Sequence, residues 1–276
     1  EISPEEILER FKSLSKGDLV ILVQSTSFRL DQFRIRIVLF NLGLKVMEHP
    51  HLARIPEAEY ETYLDSLAYD SSYFRRVGAG LKERIEKSGR TVLFAGQDEL
   101  VFDSPLEPPR LNIGDYSLLK NTGGQFPIGE VFTEACDLRK VHGRTMIFAF
   151  GDREFMARPA DPPITAVIEA GLIIRVENAP EAFLEVLEDI RKEEGDVWVR
   201  ELGFGLNRAM TRERRVMDIG TYERMCGIHL SLGGKHAIYR KPGFSRKHRF
   251  HVDVFAVTDR VEIDGEIIYQ NGSYLL

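Results

Sequence analysis

Residues 90–104, RTVLFAGQDELVFDS, decide the fold, because the character of the chain changes at this stretch. Two short runs rich in β-branched and aromatic residues predict two strands here. Before this point helical and strand-like segments alternate, whereas most segments after it have a strand pattern. We therefore expect an α+β or α/β protein, with a short α/β domain at 1–89 and a β-rich domain at 90–276.

The segment before residue 90 has a βαβ-type pattern. SPEEILERFKSL places Glu6 three residues after Ser3, a capping box that predicts a first helix. LVILVQ and LKVMEH predict two strands buried on both faces, separated by a helix that ends at Gly43. Residues 57–88 predict further helix, with a break near Gly78–Gly80. This region is too short for a complete doubly wound domain.

The segment after residue 90 consists mainly of predicted strands. PLEPPRLNIGD is a proline-rich connector, and strand patterns then run from RTMIFAFGD to the end of the chain. APEAFLEVLEDIRKE interrupts them with one predicted helix. The last segment, RVEIDGEIIYQNGSYL, predicts a hairpin around Asp264–Gly265.

Composition excludes several classes of protein. The chain has 43% hydrophobic and 29% charged residues and a net charge of −6, which argues against a general nucleic-acid surface. No apolar run approaches the ~20 residues that span a bilayer, so we expect no membrane partner. The acidic start, EISPEEILERF, does not resemble a secretory signal. With only two separated cysteines, Cys136 and Cys226, we expect no disulfide framework and a reducing cytoplasm.

The segment HRFHVDVF, residues 248–255, places His251 and Asp253 two positions apart in a strand-like run. Side chains at i and i+2 of a strand lie on the same face. Neutral imidazole and carboxylate are ligands of zinc, manganese and iron, so the pattern predicts half of a metal site. A hydrogen-bonded His–Asp pair on a half-buried strand is the alternative.

Three further segments place isolated acidic or imidazole groups in apolar surroundings. They are Glu130 in FPIGEVFTEA, Glu201 in VWVRELGFGLN and His229 in MCGIHLSLGG. A charged side chain on a buried strand is costly unless it is paired or bound to a metal. Together with His251 and Asp253, they make the ligand set of a two-metal hydrolytic site.

Each of these residues also has an ordinary structural explanation. Glu130 can cap the backbone after the Pro-Ile-Gly turn, and Glu201 can be a surface residue beside Arg200. His229 can be a core histidine bonded to a backbone carbonyl. Since no compact motif such as His-Glu-x-x-His is present, the residues alone leave both interpretations open.

Segments of the C-terminal two-thirds resemble, in the same order, those of the thermophilic aminopeptidase family, the aminopeptidase T and S type of leucyl aminopeptidase. FPIGEVFTEA is similar to its Pro-x-x-Glu-Val-Phe-Thr segment, and RELGFGLN to its Glu-Leu-Gly-x-Gly-x-Asn segment. GIHLSLGG resembles its Gly-x-x-His-x-x-Leu-Gly segment. FHVDVF resembles its His-x-Asp strand and DGEIIYQNGSY its closing hairpin. The N-terminal part is shorter than that of the family and matches it poorly.

The resemblance implies a metallopeptidase whose β-rich domain binds metal and is catalytic. Its ligands would be Glu130, Glu201, His229, His251 and Asp253. Two divalent ions, zinc, manganese or cobalt, would share these ligands and activate water for hydrolysis of an amide bond. Either glutamate could bridge the ions. The substrate would be a short peptide or another small molecule, and the family assembles as homodimers, so we expect a homo-oligomer.

Two more residues are predicted to be catalytic. The family has an oxyanion-stabilising tyrosine seven residues after the histidine that matches His229, and His236 stands at that position. A histidine can also donate a hydrogen bond, so we expect His236 to take this role. Glu134 is a candidate general base because it follows Glu130 by four residues. Its alternative is a solvated residue at the start of a helix.

Two other functions stay open. A sister group resembling 2,5-dihydroxypyridine dioxygenase opens aromatic rings with one non-haem Fe(II), for which His229, His251 and Asp253 would suffice. The chain could also be a non-catalytic binding protein that keeps the site as a relic. Finally, the basic stretch YRKPGFSRKHRF, 239–250, predicts either a solvated loop or a rim that attracts an anionic substrate group.

Overall fold

A computed structural model describes residues 3–25, 29–30, 33–117, 119–236, 238–241, 243–244 and 248–276. The chain combines a large curled antiparallel sheet, a small parallel sheet and several helices. The α+β class predicted from the sequence is therefore confirmed. Within the described residues, no helix is both long and apolar enough to cross a membrane.

The helices and strands have the following bounds. The α-helices are α1 Pro4–Lys12, α2 Ile35–Asn41, α3 Tyr60–Ser66, α4 Ser71–Lys87, α5 Glu181–Glu194 and α6 Ile219–Tyr222. Short 3₁₀ helices cover Leu52–Arg54, Glu57–Glu59 and Leu138–Lys140. The strands are β1 Leu19–Val23, β2 Arg29–Leu30, β3 Phe33–Arg34, β4 Lys45–His49, β5 Thr91–Ala95, β6 Asp98–Phe102, β7 Arg110–Asn112, β8 Gly123–Gln125, β9 Glu130–Glu134, β10 Val141–Gly151, β11 Ala157–Glu169, β12 Leu172–Glu177, β13 Val199–Gly205, β14 Gly227–Leu232, β15 Val252–Ala256, β16 Arg260–Ile263, β17 Glu266–Gln270 and β18 Ser273–Tyr274.

The large sheet contains most strands that follow residue 90. Its order within the described residues is β18-β17-β16-β5-β6-β10-β15-β14-β13-β9-β7, and β11 and β12 extend from β10. Helices α4 and α5 contribute apolar side chains to one core with this sheet, including Leu81 from α4 and Phe183 from α5. The sheet therefore forms the frame on which the candidate site is built, and α4 packs on it although α4 precedes residue 90.

The small sheet has the parallel order β1-β4-β8, and its strand β8 comes from the chain after residue 90. Strand β1 alternates between buried and exposed residues, with Val20 and Leu22 in the core and Leu19, Ile21 and Val23 more than half exposed. The expectation that this apolar strand is buried on both faces is wrong. Helix α2 packs against the face of β1 that carries Val20 and Leu22. The apolar composition of β1 therefore wrongly predicted that its opposite face is buried as well.

The helical region at 57–88 is interrupted earlier than the sequence predicts. Helix α3 ends at Ser66, and α4 begins after Asp70, whose side chain accepts a hydrogen bond from the Tyr73 amide as an N-cap. Gly78 lies inside α4. A β-carbon at this position would come within 2.8 Å of the Ile113 side chain, which favours glycine here. This glycine permits close packing rather than ending the helix.

Two shorter expectations are also settled. The capping box at Ser3 and Glu6 is present at the start of α1. The helix predicted from APEAFLEVLEDIRKE, within the strand-rich part, is α5. The helix predicted to end at Gly43 is shorter than expected, since α2 covers only Ile35–Asn41 and is preceded by the residue pairs of β2 and β3.

Candidate metal centre

Four neighbouring strands of the large sheet bring together all five residues predicted as metal ligands. These strands lie in the order β15-β14-β13-β9 and pair antiparallel. The ligands that they carry are Glu130 in β9, Glu201 in β13, His229 in β14 and Asp253 in β15, with His251 directly before β15. Strand pairing therefore gathers side chains that are far apart in the sequence.

Glu130, Glu201 and His229 form what we call the inner group. Nε2 of His229 lies 3.5 Å from Oε1 of Glu130 and 3.4 Å from Oε1 of Glu201. Ligand atoms about 2.0–2.2 Å from a tetrahedral metal stand about 3.4 Å from one another, so this spacing fits one ion. All three residues are buried, which excludes solvent from the position between them.

Glu201, His251 and Asp253 form the outer group. Nε2 of His251 lies 3.2 Å from Oδ1 of Asp253, and one ligand atom from each residue lies within 4.8 Å of the other two. The His251 side chain is 29% exposed, so this group borders solvent. Glu201 belongs to both groups, which makes it the bridging candidate that the sequence could not distinguish from Glu130.

Hydrogen bonding at the two groups fits metal ligation. Nε2 of His229 and Oδ1 of Asp253 are buried and have no hydrogen-bond partner within the described part of the chain. Buried polar atoms are nearly always satisfied, so such orphans call for an unseen partner. His251 uses Nδ1 to approach the Lys235 carbonyl at 3.3 Å, which leaves Nε2 for a metal, as ligating histidines commonly do.

The ligands influence each other's protonation. Burial lowers the pKa of His229, but the neighbouring Glu130 and Glu201 carboxylates outweigh it and raise that pKa to about 10. Burial likewise opposes protonation of His251, and Asp253 raises its pKa to about 9. Burial raises the pKa of Glu201, yet the adjacent imidazoles of His229 and His236 outweigh burial and hold that pKa well below the usual value. In the metal-free protein, protons thus occupy positions that a cation would take.

Gly203 makes room for the inner group. It pairs with His229 across β13 and β14, and a β-carbon at this glycine would lie 2.0 Å from Nε2 of His229. The imidazole therefore lies directly over the glycine, between the two glutamates. The Glu-Leu-Gly segment supplies both a ligand and the space for its partner.

His236 lies beside the shared glutamate. Its Nε2 is 2.9 Å from Oε2 of Glu201, and its Nδ1 accepts from the backbone amides of Ile238 and Tyr239 at 3.2 and 3.4 Å. Because those amides can only donate, the neutral ring carries its proton on Nε2 and donates it to Glu201. The oxyanion-donor role of His236 stays a prediction, since this contact directs its donor toward Glu201.

Glu134 is placed outside both groups. It lies in strand β9, fully buried, rather than at a solvated helix start. Its two carboxylate oxygens accept hydrogen bonds from Nε and Nη2 of Arg200 at 3.0 and 2.9 Å. We therefore assign Glu134 no proton transfer, because a buried guanidinium already binds both oxygens.

A cavity of about 410 Å³ opens onto the outer group. Its apolar walls include Phe132, Ile219 and Val252, and Lys235 also lines it. Such a volume suits a small molecule or the end of a peptide. The outer group thus faces the space in which a substrate would lie.

The basic stretch 239–250 extends outside the described residues at 242 and 245–247. Its described residues do not line this cavity. Lys241 contacts the Glu107 carboxylate and the Cys136 carbonyl instead. The lysine that does reach the cavity, Lys235, lies just before the stretch.

Two arginines and a glycine complete the site and were missed in the sequence. Arg224 places Nη2 3.5 Å from Oε2 of Glu130 and donates from Nη1 to the Gly220 carbonyl. Arg200 is buried beside Glu201, although an arginine next to a glutamate suggested a surface pair. The apolar run VWV before Arg200 was the available signal that this position is inside. For Gly203, the only signal in the sequence was its place in the Glu-Leu-Gly segment that begins at Glu201.

Comparison with protein-family models and with curated proteins gave no match to this chain.

Proposed function

We propose that the chain is a metal-dependent hydrolase that cleaves amide bonds of small substrates in the manner of an aminopeptidase. One observation carries the proposal: two groups of carboxylate and imidazole ligands, one buried and one bordering a small cavity, share Glu201. Shared carboxylates are characteristic of two-metal sites that hydrolyse amide and phosphate bonds. The ordered resemblance of five segments to the thermophilic aminopeptidases supports the amide-bond assignment.

The residues of the site would have different roles in binding two ions and a substrate. Glu130 and His229 would hold one ion with Glu201, and His251 and Asp253 would hold the second. Two divalent ions there would supply Lewis acidity and a water of lowered pKa. The apolar cavity walls would receive the nonpolar part of a substrate beside the outer group, and the hydrogen bond from His236 fixes the Glu201 carboxylate. Oxygen and nitrogen ligands without thiolate suit zinc, manganese or cobalt.

A single Fe(II) is less well supported by the geometry. His229 belongs to the inner group, whereas His251 and Asp253 belong to the outer group, and among the described residues these three do not form a group of their own. A ring-opening oxygenase would instead need those three around one ion. Two bound ions would favour the hydrolase, and one iron with O₂-dependent turnover would favour the oxygenase.

The decisive experiment counts metal and turnover on the same sample. Protein purified without chelator is analysed for its metals and assayed with unblocked and N-acetylated dipeptides. We expect two divalent ions per chain, cleavage of the unblocked dipeptide, and loss of both with a chelator. Two ions without cleavage of any amide substrate would favour the relic binding protein, and absence of metal would refute the proposal.

The proposed setting is the reducing cytoplasm, in which a homo-oligomer acts. Both cysteines are free thiols, one exposed and one buried, in agreement with a reducing compartment. The oligomer rests on the family resemblance, and light scattering of the purified chain would measure it. A monomer at all concentrations would remove that part of the proposal.

A further inference from the structure

We infer that Arg200 is a positioning residue that holds the His236 segment, residues 234–236 and 238–241, against Glu201 and so fixes the outer group. The inference rests on the proposed metal site, and it assigns a role to a buried ion pair that the hydrolytic proposal does not use. It begins from the position of the Arg200 guanidinium, which is only 1% exposed and lies next to Glu201 in β13.

Arg200 donates to backbone carbonyls on both sides of His236. Nη1 donates to the Gly234 carbonyl at 2.5 Å, and Nη2 donates to the Tyr239 carbonyl at 3.0 Å. The same guanidinium is neutralised by Glu134 and lies 4.5 Å from the centre of the Phe244 ring. A planar group with donors fixed in a fork can hold two carbonyls in one relative position, which a lysine ammonium cannot reproduce.

The held segment in turn orients the imidazole. Tyr239, whose carbonyl Arg200 holds, also donates its amide to Nδ1 of His236. Nε2 then points at Oε2 of Glu201, the oxygen that is not directed toward His229. The contacts therefore run from Arg200 through the backbone to His236, and from His236 to Oε2 of Glu201, a residue that belongs to the outer group.

A purely structural pair is the competing explanation. A buried ion pair contributes little net stability compared with apolar residues of similar volume, so the Arg200–Glu134 pair is weak evidence for a purely stabilising role. A structural role predicts a change in stability alone. A positioning role predicts a selective change in the outer ion and in the His236 segment.

The test compares Arg200→Lys with Arg153→Lys, a matched change in an exposed ion pair. Hydrogen exchange of the Ile238 and Tyr239 amides reports on the segment, and titration with Zn²⁺ against a chromophoric chelator reports on the ions. We expect Arg200→Lys to speed that exchange at least 10-fold and to weaken the outer ion, identified as the one that His251→Ala removes, roughly 10-fold, within the range for outer-shell partners. The other ion and the Arg153→Lys variant should be unchanged.

A double-mutant cycle separates action through His236 from an independent effect. His236→Ala should weaken the same ion, and Arg200→Lys added to it should weaken that ion no further. If the two effects multiply, or if Arg200→Lys leaves both exchange and ion binding unchanged, the inference is overturned. Should the wild type bind no Zn²⁺, the proposed function fails, and the exchange experiment alone decides the role of Arg200.

A second variant covers the case in which Arg200→Lys does not fold. Arg200→Met with Glu134→Met removes both buried charges and leaves neither one unpaired. It should fold, and it should show the same loss of protection at Ile238 and Tyr239. Normal protection in this folded variant would overturn the inference.

Discussion

The inner and outer groups share one glutamate but are built in different ways. The inner group consists of side chains within paired strands, and its space is set by Gly203 beneath the His229 ring. The outer group includes His251, which precedes β15. It also adjoins the His236 segment, whose backbone Arg200 contacts and whose imidazole contacts Glu201. The difference teaches that strand register alone places the ligands of the inner group, whereas the ligands of the outer group also depend on a loop and border the cavity.

Removal of Glu201 should have the largest effect on metal binding, because this residue belongs to both groups. We expect Glu201→Ala to weaken both ions by more than roughly 100-fold, beyond the loss typical of an outer-shell partner. Metal analysis after gel filtration measures this. Glu61→Ala, at an exposed position, is the control and should retain both ions. Retention of either ion at wild-type affinity by Glu201→Ala would show that Glu201 is not shared.

Gly203→Ala should separate the two groups by removing the inner ion alone. The added β-carbon overlaps Nε2 of His229 and pushes the imidazole from its position between the glutamates. The metal content should fall from two ions to one. Gly220→Ala is the control, since its β-carbon meets no atom nearer than 3.6 Å. Two ions in a folded Gly203→Ala protein would mean that His229 is not an inner ligand.

His251→Ala should give the complementary result. Its imidazole contributes only to the outer group, so one ion is lost while the inner ion stays. Turnover of any cleaved dipeptide should disappear together with the outer ion. We would abandon the outer site if this variant kept the full metal content of the wild type.

The pH dependence should give the smallest difference between the groups. The pKa values of about 10 for His229 and about 9 for His251 mean that both rings are protonated at pH 8 without metal. Each ion must then displace a proton, so affinity falls as pH falls. Calorimetry in buffers of different ionisation enthalpy should detect about one proton released per ion at pH 8. Above about pH 9 the outer ion should release less, while the inner ion still releases its proton. Binding without proton release at pH 8 would contradict the raised pKa values.

Much of the candidate site could be predicted because each ligand breaks an apolar strand pattern. His229, His251 and Asp253 each stand where an alternating strand requires an explanation for a polar group. Arg200 was missed for the opposite reason: beside Glu201 it suggested an exposed pair, and its burial depends on the distant residues Gly234 and Tyr239, whose carbonyls it contacts. Contacts between distant segments of this kind leave little trace in local sequence.

The fold shows the same limit. The helices and the strand-rich second part followed from periodicity, and the α+β class is confirmed. Gly78 suggested a helix break, but it lies within α4, where the small residue leaves space for Ile113. The sequence could not show this, because Ile113 lies far along the chain. Likewise, the composition of β1 could not reveal that its sheet leaves Leu19, Ile21 and Val23 exposed. Local patterns predicted elements, and tertiary contacts decided their surroundings.

The assembly of the ligands from four separate strands has a kinetic consequence. Glu130 and His229 approach each other only after strands distant in the chain have paired, and such non-local pairing makes folding slow. A slip of one residue in any of these strands would turn its ligand to the other face of the sheet. Metal ions would therefore bind late, to chains with all four strands in register, and would stabilise that state over its misaligned competitors. The free metal concentration during synthesis would then influence how much of the protein reaches its native register.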